Sequence, residues 1–173
     1  VCSSDLTAGS SSCTTCADGE YAAGDDPSCS ECSDGEYSTG GDTTCSTVTD
    51  GYYAANVSDV HTVGTGASKE VECPTGTYND DGSGPCINCP AGKSNAQTAQ
   101  TICVDCVIGK YKPSTGVNVN CDDCANGMYQ NTEGQTSCLD IPAGSQGIDD
   151  NGDAATLAAT DYEDCASGFW NGN

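Results

Sequence analysis

The feature that most constrains this chain is a cysteine spacing that returns along most of its length. CTTCADGEY (residues 13–21) comes back as CSECSDGEY (residues 29–37), and both read C-x-x-C-x-x-G-x-Y. We call the second cysteine of each pair the opening residue of a repeat, and the first cysteine of the next pair its closing residue. In most repeats a glycine follows the opening residue at the third position and an aromatic residue at the fifth. The pattern predicts a tandem array of small units.

Two repeats lack their cysteines, and they lack them in pairs. Val48 and Ile141 stand at opening positions, and Glu70 and Tyr162 stand at the matching closing positions. If opening and closing cysteines are bonded to each other, losing both strands no free thiol, whereas losing one does. The paired losses therefore predict one disulfide within each remaining repeat. The predicted bonds are Cys2–Cys13, Cys16–Cys29, Cys32–Cys45, Cys73–Cys86, Cys89–Cys103, Cys106–Cys121 and Cys124–Cys138.

One cysteine of the 15 is left over by this pairing. Cys165 opens a further repeat, CASGFW, and we expect it to be unpaired or to bond to another chain or to a later repeat. The partners expected on this ground are copies of the chain itself, or neighbouring repeats, joined head to tail.

Apolar residues are too scarce for one large core. Leucine occurs three times, and the chain has one Phe, one Trp and one Met. Ordering a chain costs roughly 1–2 kcal/mol per residue in backbone entropy, so covalent links must supply what burial does not. The fold class predicted is a small disulfide-rich, elongated tandem array of short β-hairpin units with little helix and no single hydrophobic core. A helical turn or two is expected over Asp153–Thr160.

The repeats predict both local structure and domain organisation. In residues 16–29, Gly19 permits a turn, Glu20 and Tyr21 start a strand, and a return segment leads back to Cys29, with the disulfide at the mouth of the hairpin. Closing a loop of this size stabilises by roughly 3 kcal/mol. The predicted segments are cysteine-rich repeats over 1–47, a Cys-poor repeat over 48–72, cysteine-rich repeats over 73–140, a Cys-poor repeat over 141–164, and the start of another repeat over 165–173.

The charge excludes several partners. The net charge is −22, with four Lys and no Arg, which argues against nucleic acid because phosphate neutralisation needs cations. No apolar run is long enough to cross a bilayer, so we expect no membrane insertion in this segment. Acidity of this kind is typical of a hydrated, self-repelling surface, with binding of calcium or a cationic partner as the minority interpretation.

The spacing also raises the question of metal and catalysis. Cys13, Cys16, Cys29 and Cys32 have the spacing of a zinc ribbon. The pairs run on as a ladder without grouping into fours, however, so we expect no metal. The chain's one histidine, His61, has no partner for catalysis, and no CxxC lies in a βαβ pattern. We therefore expect neither a cofactor nor enzyme activity.

Two further sites are candidates for modification or ion binding. Asp149–Asp153 resembles the start of a calcium loop, but Ala154 and Thr160 stand where such a loop has its glycine and its glutamate. A simple acidic turn is the alternative that we favour. Asn56-Val-Ser is an N-x-S acceptor sequence, which predicts a glycan at Asn56 in a secreted protein.

The string CPTGTYNDDGSGPCINCPAGKSNAQTAQTICVDCVIGKY (residues 73–111) resembles the ephrin-receptor-like cysteine-rich repeat, which is distantly similar to the modules of tumour necrosis factor receptors. The resemblance covers the chain apart from residues 49–70 and 142–162, and it implies an extracellular, disulfide-linked array. The leading hypothesis is a structural, glycosylated segment or subunit of a surface fibre, appendage or coat. The alternative is the ectodomain of a receptor or adhesin, with Phe169-Trp170 or Tyr52-Tyr53 as contact residues.

Overall fold

The fold is a series of small hairpins. The computed structural model describes residues 15–24, 28–58, 60, 66–116 and 119–167. Within these ranges, sixteen strands form eight antiparallel two-stranded sheets, each made by strands consecutive in sequence, and no helix is present. The predicted class, a small disulfide-rich tandem array of β-hairpins with little helix, is confirmed.

The hairpins have two lengths. Six pair two residues with two: β1 (Glu20–Tyr21) with β2 (Ser30–Glu31), β3 (Glu36–Tyr37) with β4 (Ser46–Thr47), β7 (Thr77–Tyr78) with β8 (Ile87–Asn88), β9 (Lys93–Ser94) with β10 (Val104–Asp105), β11 (Lys110–Tyr111) with β12 (Asp122–Asp123), and β13 (Met128–Tyr129) with β14 (Leu139–Asp140). Two pair four with four: β5 (Tyr52–Ala55) with β6 (Lys69–Glu72), and β15 (Ser145–Ile148) with β16 (Asp161–Asp164). The longer hairpins are those of the two Cys-poor repeats.

The return strand of a short hairpin lies outside its disulfide loop, which corrects the expectation for residues 16–29. Strand β2 consists of the two residues between Cys29 and Cys32. The N–H of Cys32 then donates to the carbonyl of Gly19 at 2.9 Å, and this bond ends the hairpin. The two residues inside the four CxxC pairs that begin at Cys29, Cys86, Cys103 and Cys121 therefore form a strand, because two ladder positions fit between the closing residue and the next opening residue.

The buried apolar side chains are small, and most of them belong to cysteine and alanine. Below 10% exposure the hydrophobic residues of the described ranges are cysteines, alanines and Val48. The largest packed group contains Val48, Ala54 and Ala67, with Tyr37 and Tyr52 against it. Burial on this scale cannot offset the entropy of ordering the chain, so the covalent links carry the difference.

The alanine-rich segment Asp153–Thr160 is not helical, contrary to expectation. Ala158 has a φ of 54°, which no α-helix tolerates. Its N–H donates to the carbonyl of Cys124, and Ala159 forms a parallel bridge with Tyr129. Backbone bonds to the preceding repeat thus override the helical propensity of alanine.

The chain divides into two compact units. One contains residues 1–74, 78–87 and 98–102, and the other contains residues 75–77, 88–97 and 103–173. Each unit contains one four-residue hairpin, β5–β6 in the first and β15–β16 in the second. The finer division into five segments stays a prediction.

Candidate functional site

The residues on which the array depends are those that close each repeat and join it to its neighbours. Six disulfides close repeats, with Cα–Cα distances between 5.5 and 5.8 Å. These bonds belong to the set that the paired losses predict, and the seventh member, Cys2–Cys13, lies outside the described residues. The six are Cys16–Cys29, Cys32–Cys45, Cys73–Cys86, Cys89–Cys103, Cys106–Cys121 and Cys124–Cys138.

A glycine with positive φ follows each opening residue from Cys16 to Ile141. Gly19 has a φ of 83°, and the N–H of Glu20 donates to the carbonyl of Ala17 at 3.0 Å. A four-residue turn of this kind needs a positive φ at its third position, which glycine adopts without a Cβ penalty. Gly51 and Gly144, in the repeats without disulfides, both have a φ of 87°, so the turn forms without the bond.

The joint between consecutive repeats depends on a position that sequence reasoning missed, the sixth after the opening residue. Its carbonyl accepts the N–H of the turn glycine of the preceding repeat, as Ser38 does from Gly19 at 2.7 Å. Its own N–H donates forward, as Ser38 does to Ala67 at 3.1 Å. Polar residues are buried at this position in five repeats, with exposures of 1 to 4%: Ser38, Asn79, Asn95, Lys112 and Gln130.

The side chains at this position organise the loop that follows. Asn79 donates from Nδ2 to the carbonyls of Tyr52 at 2.9 Å and Gly84 at 2.8 Å. Its Oδ1 accepts the N–H of Gly82 at 3.1 Å. Lys112 replaces this amide with an ammonium group that lies 3.4 Å from the carbonyl of Gly116, and desolvation lowers its pKa. The signal in the sequence was a polar residue directly after the aromatic one.

Four turn glycines, Gly19, Gly51, Gly92 and Gly109, also meet a loop from two repeats further on. A Cβ built on Gly109 would lie 2.3 Å from the carbonyl oxygen of Ala158, and one built on Gly19 would lie 2.2 Å from that of Gly66. Such distances leave no room for any side chain. Repeats therefore pack on their next-but-one neighbours as well as on adjacent ones, within each compact unit.

The repeat that opens at Val48 replaces its disulfide with a longer ladder and apolar packing. Val48, 4% exposed, packs with Ala54 and Ala67. Glu70, at the closing position, accepts the N–H of Thr49 through Oε2 at 2.8 Å. The side-chain bond therefore joins the same two segments that a disulfide would join.

The repeat that opens at Ile141 follows the same plan. A Cβ built on Gly147 would lie 2.9 Å from Ile141 Cδ1, which places the isoleucine against the hairpin. Tyr162, at the closing position, meets Tyr129 edge to face with ring centroids 5.0 Å apart. Side-chain bonds add to the ladder, from Ser145 Oγ to Asp164 at 3.0 Å and from Gln146 Nε2 to Glu163 at 2.7 Å.

Cys165 is a free, half-buried cysteine in the structure. Its N–H donates to the carbonyl of Gly144 at 2.8 Å, which is the bond that the opening residues from Cys32 to Ile141 make to the preceding turn glycine. Cys165 therefore occupies an opening position, and its bond to another chain or repeat stays a prediction.

The acidic loop Asp149–Asp153 is organised by its own backbone. Asp149 Oδ1 accepts the N–H groups of Asn151 and Asp153, both at 2.9 Å. These bonds lower the pKa of Asp149, the one from Asp153 most. The carboxylate thus caps a turn, which favours the acidic-turn interpretation over a calcium loop.

Asn56 lies on an exposed turn. Its Oδ1 accepts the N–H of Ser58 at 2.9 Å and that of Val60 at 3.2 Å, and the next residue, Val57, is 69% exposed. An acceptor sequence on such a turn is open to solvent, which suits the predicted glycan. His61 lies outside the described residues.

The aromatic candidates for partner contact differ in their surroundings. Tyr52 packs against the cluster of Val48, and its hydroxyl donates to Glu72 at 3.4 Å. The negative charge of Glu72, with desolvation, raises the pKa of Tyr52. Tyr53 is half-buried, whereas Phe169 and Trp170 lie outside the described residues.

The described residues bear on metal binding and on membrane crossing. No group of three or more His, Cys, Asp or Glu side chains in these ranges is arranged to hold a metal ion. The thiols of Cys16, Cys29 and Cys32, which a zinc ribbon needs, are joined in disulfides. No helix in this part of the chain has the length and apolarity that crossing a bilayer requires.

Comparison with known proteins shows what the repeat is similar to. The family model described as "Tyrosine-protein kinase ephrin type A/B receptor-like" matches residues 114–165. The match includes residues 142–162, so the repeat that opens at Ile141 fits the pattern although its cysteines are replaced. This corrects the expectation that residues 142–162 lie outside the resemblance.

A mouse relative extends the similarity along the chain. "Signal peptide, CUB and EGF-like domain-containing protein 2" from Mus musculus is 30% identical over 139 residues, which cover 64% of this chain and 13% of the relative. The chain thus spans a small part of that protein. The predicted resemblance is confirmed, and the chain carries an extracellular-type, ephrin-receptor-like cysteine-rich repeat.

Proposed function

We propose that this chain is a structural segment or subunit of an extracellular surface fibre, appendage or coat, without enzyme activity. The observation that carries the proposal is the covalent closure of one repeat after another, with two residues between successive bonds. Such repeats keep their fold without a large core, which suits a protein exposed to proteases and changing solvent.

The joints between repeats support a load-bearing role. Each joint combines main-chain bonds to the next repeat with the glycine contact to the repeat after it, as at Gly19, Ser38 and Gly66. The same backbone contacts can be offered by any repeat of this kind. Copies of the chain joined head to tail, with Cys165 as the link, are therefore the proposed partners.

The surface chemistry supports an extracellular, hydrated location. The net charge of −22 keeps neighbouring surfaces apart, and a glycan at Asn56 would add bulk on an exposed turn. Both features limit nonspecific aggregation of a chain that has many edge strands.

A receptor or adhesin ectodomain is the second candidate. It is favoured by the receptor-like family match at residues 114–165. An interface of that kind needs aromatic anchors in a desolvated patch. Tyr52-Tyr53 and Phe169-Trp170 are the anchors this alternative would use.

Assembly of the purified, oxidised chain separates the two candidates. Negative-stain images and non-reducing electrophoresis should show disulfide-linked oligomers that grow with protein concentration, and Cys165→Ser should stop their growth. Stable monomers that bind saturably to cells, with Phe169→Ala/Trp170→Ala abolishing the binding, would favour the ectodomain instead.

A further inference from the structure

We propose that the disulfide-free repeat between Cys45 and Cys73 is an extensible element, which opens under tension before its neighbours and releases a fixed length of chain. The inference rests on the proposed structural function, since only a load-bearing chain experiences such tension. It assigns a separate mechanical role to the repeat that opens at Val48.

The covalent path of force differs between repeats. In a closed repeat, tension passes through the disulfide, so the loop between Cys32 and Cys45 bears none of it. Between Cys29 and Cys32 only two residues carry the force. Between Cys45 and Cys73, in contrast, no disulfide bridges residues 46–72, and all 27 of them lie in the path.

The hairpin in that path is loaded in its weakest direction. Strands β5 and β6 are antiparallel, with Tyr52 opposite Glu72 and Ala55 opposite Lys69. Tyr52 is the strand end nearer Cys45, and Glu72 is the end nearer Cys73, so both attachment points lie at the same end of the ladder. Tension therefore separates the four residue pairs one after another instead of shearing them together.

The contacts beyond the ladder are noncovalent. Within the repeat they include the side-chain bond from Thr49 to Glu70 and the packing of Val48 on Ala54 and Ala67. Hydrogen bonds from Ser38 to Ala67 and from Asn79 to Tyr52 join the repeat to its neighbours, and they must break as well. Breaking the first ladder pairs removes Glu70 from Thr49, and the small cluster is then exposed to water. Opening is reversible in principle, because Cys45 and Cys73 stay anchored in intact neighbouring repeats.

The released length follows from the chain itself. An extended chain gains at most about 3.4 Å per residue, so the path from Cys45 to Cys73 reaches roughly 95 Å when fully drawn out. A closed repeat contributes the two residues of its CxxC strand, or roughly 10 Å between anchoring cysteines. The drawn-out path of this repeat is therefore about nine times that of a closed one, whose two CxxC residues are already extended as a strand.

Single-molecule force spectroscopy on the full oxidised chain, held at both termini, tests the proposal. We expect a reversible extension of roughly 80–95 Å at a force below that of any other step assigned between Cys16 and Cys138. Absence of that step before covalent rupture would overturn the proposal.

The double variant Val48→Cys/Glu70→Cys is the matched test, because it recreates the CxxC spacing as CSTC and CVEC. The path between Cys138 and Cys165 has no disulfide either, so the wild-type chain should show a second step of similar length. Once oxidised, confirmed by thiol counting, the variant should show one such step fewer, and reductant at a dose that cleaves only the new bond should restore it. If the new bond fails to form, the variant should keep both steps, and the wild-type trace remains decisive. An unchanged number of steps in the oxidised variant would contradict the assignment.

The outcome is independent of whether the chain forms fibres. Failure to assemble would count against the structural function and leave the force measurement unchanged. A missing step in a chain that does assemble would reject the extensible element alone.

Discussion

The repeat that opens at Val48 directly follows the one that opens at Cys32, and the two are closed in different ways. Both begin with a glycine turn, at Gly35 and Gly51, and both end with the N–H of the next opening residue on the glycine carbonyl. The first has a disulfide and two paired residues, and the second has no disulfide and four paired residues. The turn and the joint therefore define the repeat, and closure can be covalent or not.

The comparison also shows which side chains can stand in place of the two cysteines. Val48 is buried like the opening cysteine Cys32, with 4% and 0% exposure. The apolar side chain of Val48 fills the same kind of buried position. Glu70, at the closing position, accepts a hydrogen bond from the backbone N–H of Thr49. The opening position thus requires an apolar side chain, whereas the closing position accepts a charged or aromatic residue.

The largest expected effect comes from removing a covalent closure. Cys32→Ala/Cys45→Ala opens a loop of 13 residues' separation without the longer ladder that supports the Val48 repeat. The free energy of unfolding should fall by about 3 kcal/mol, measured by denaturant titration of the oxidised protein. Cys165→Ser is the control and should change it by less than about 0.5 kcal/mol. Equal effects of the two variants would show that closure is dispensable.

Replacing a turn glycine with alanine should cost more stability where another repeat lies close to that glycine. Gly109→Ala introduces a Cβ 2.3 Å from the carbonyl of Ala158 at a φ of 77°, so we expect a loss of about 2–3 kcal/mol. Gly144 has a φ of 87° and no described atom within 4 Å of such a Cβ, so Gly144→Ala should cost about 1 kcal/mol. Thermal unfolding measures both, and an equal cost would refute the contact between next-but-one repeats.

Apolar packing should matter most where the disulfide is absent. Val48→Ala removes two methyl groups from the cluster with Ala54 and Ala67 and should cost about 1.5 kcal/mol. Val57→Ala, at a side chain that is 69% exposed, is the control and should be nearly neutral. Hydrogen exchange at β5 and β6 would localise the loss, and protection unchanged there would contradict the role of Val48.

The smallest expected effect is at the cross-strand charge pairs of closed repeats. Lys93 Nζ lies 2.6 Å from Asp105 Oδ1 across one ladder, and Lys110 pairs with Asp123 in the same way. Lys93 and Asp105 are 40% and 49% exposed, so Lys93→Gln should cost about 0.5 kcal/mol or less, and the cost should vanish near 1 M salt. Glu20 faces Glu31 at the equivalent place, and Glu31→Lys should give a gain of similar size that salt also removes. Salt-independent changes would contradict an electrostatic origin.

The sequence was sufficient for the features that depend on spacing. The paired replacements at Val48 and Glu70 led to the same pairing that the six disulfides show, because a bonded pair is lost or kept as one. Glycine at the third position could be predicted as a turn because few other residues adopt a positive φ.

Features that depend on contacts between repeats could not be predicted from the spacing of residues. The buried polar position at Ser38 and Asn79 varies in residue type, since what it supplies to the joint is main chain. The return strand was misplaced because its two residues belong to the spacer of CxxC. Asp153–Thr160 was expected to be helical because local propensity ignores the carbonyl of Cys124 that fixes Ala158.

Peptide mapping without reduction tests the central claim most directly, that each closed repeat is joined by its own sulfur–sulfur bond. Digestion of the native protein with alkylation of free thiols should yield Cys16 linked to Cys29, Cys32 linked to Cys45, and so on through Cys124–Cys138, with Cys165 alkylated or joined to a second chain. A peptide in which Cys29 is bonded to Cys32, or thiols released by a chelator, would contradict the account.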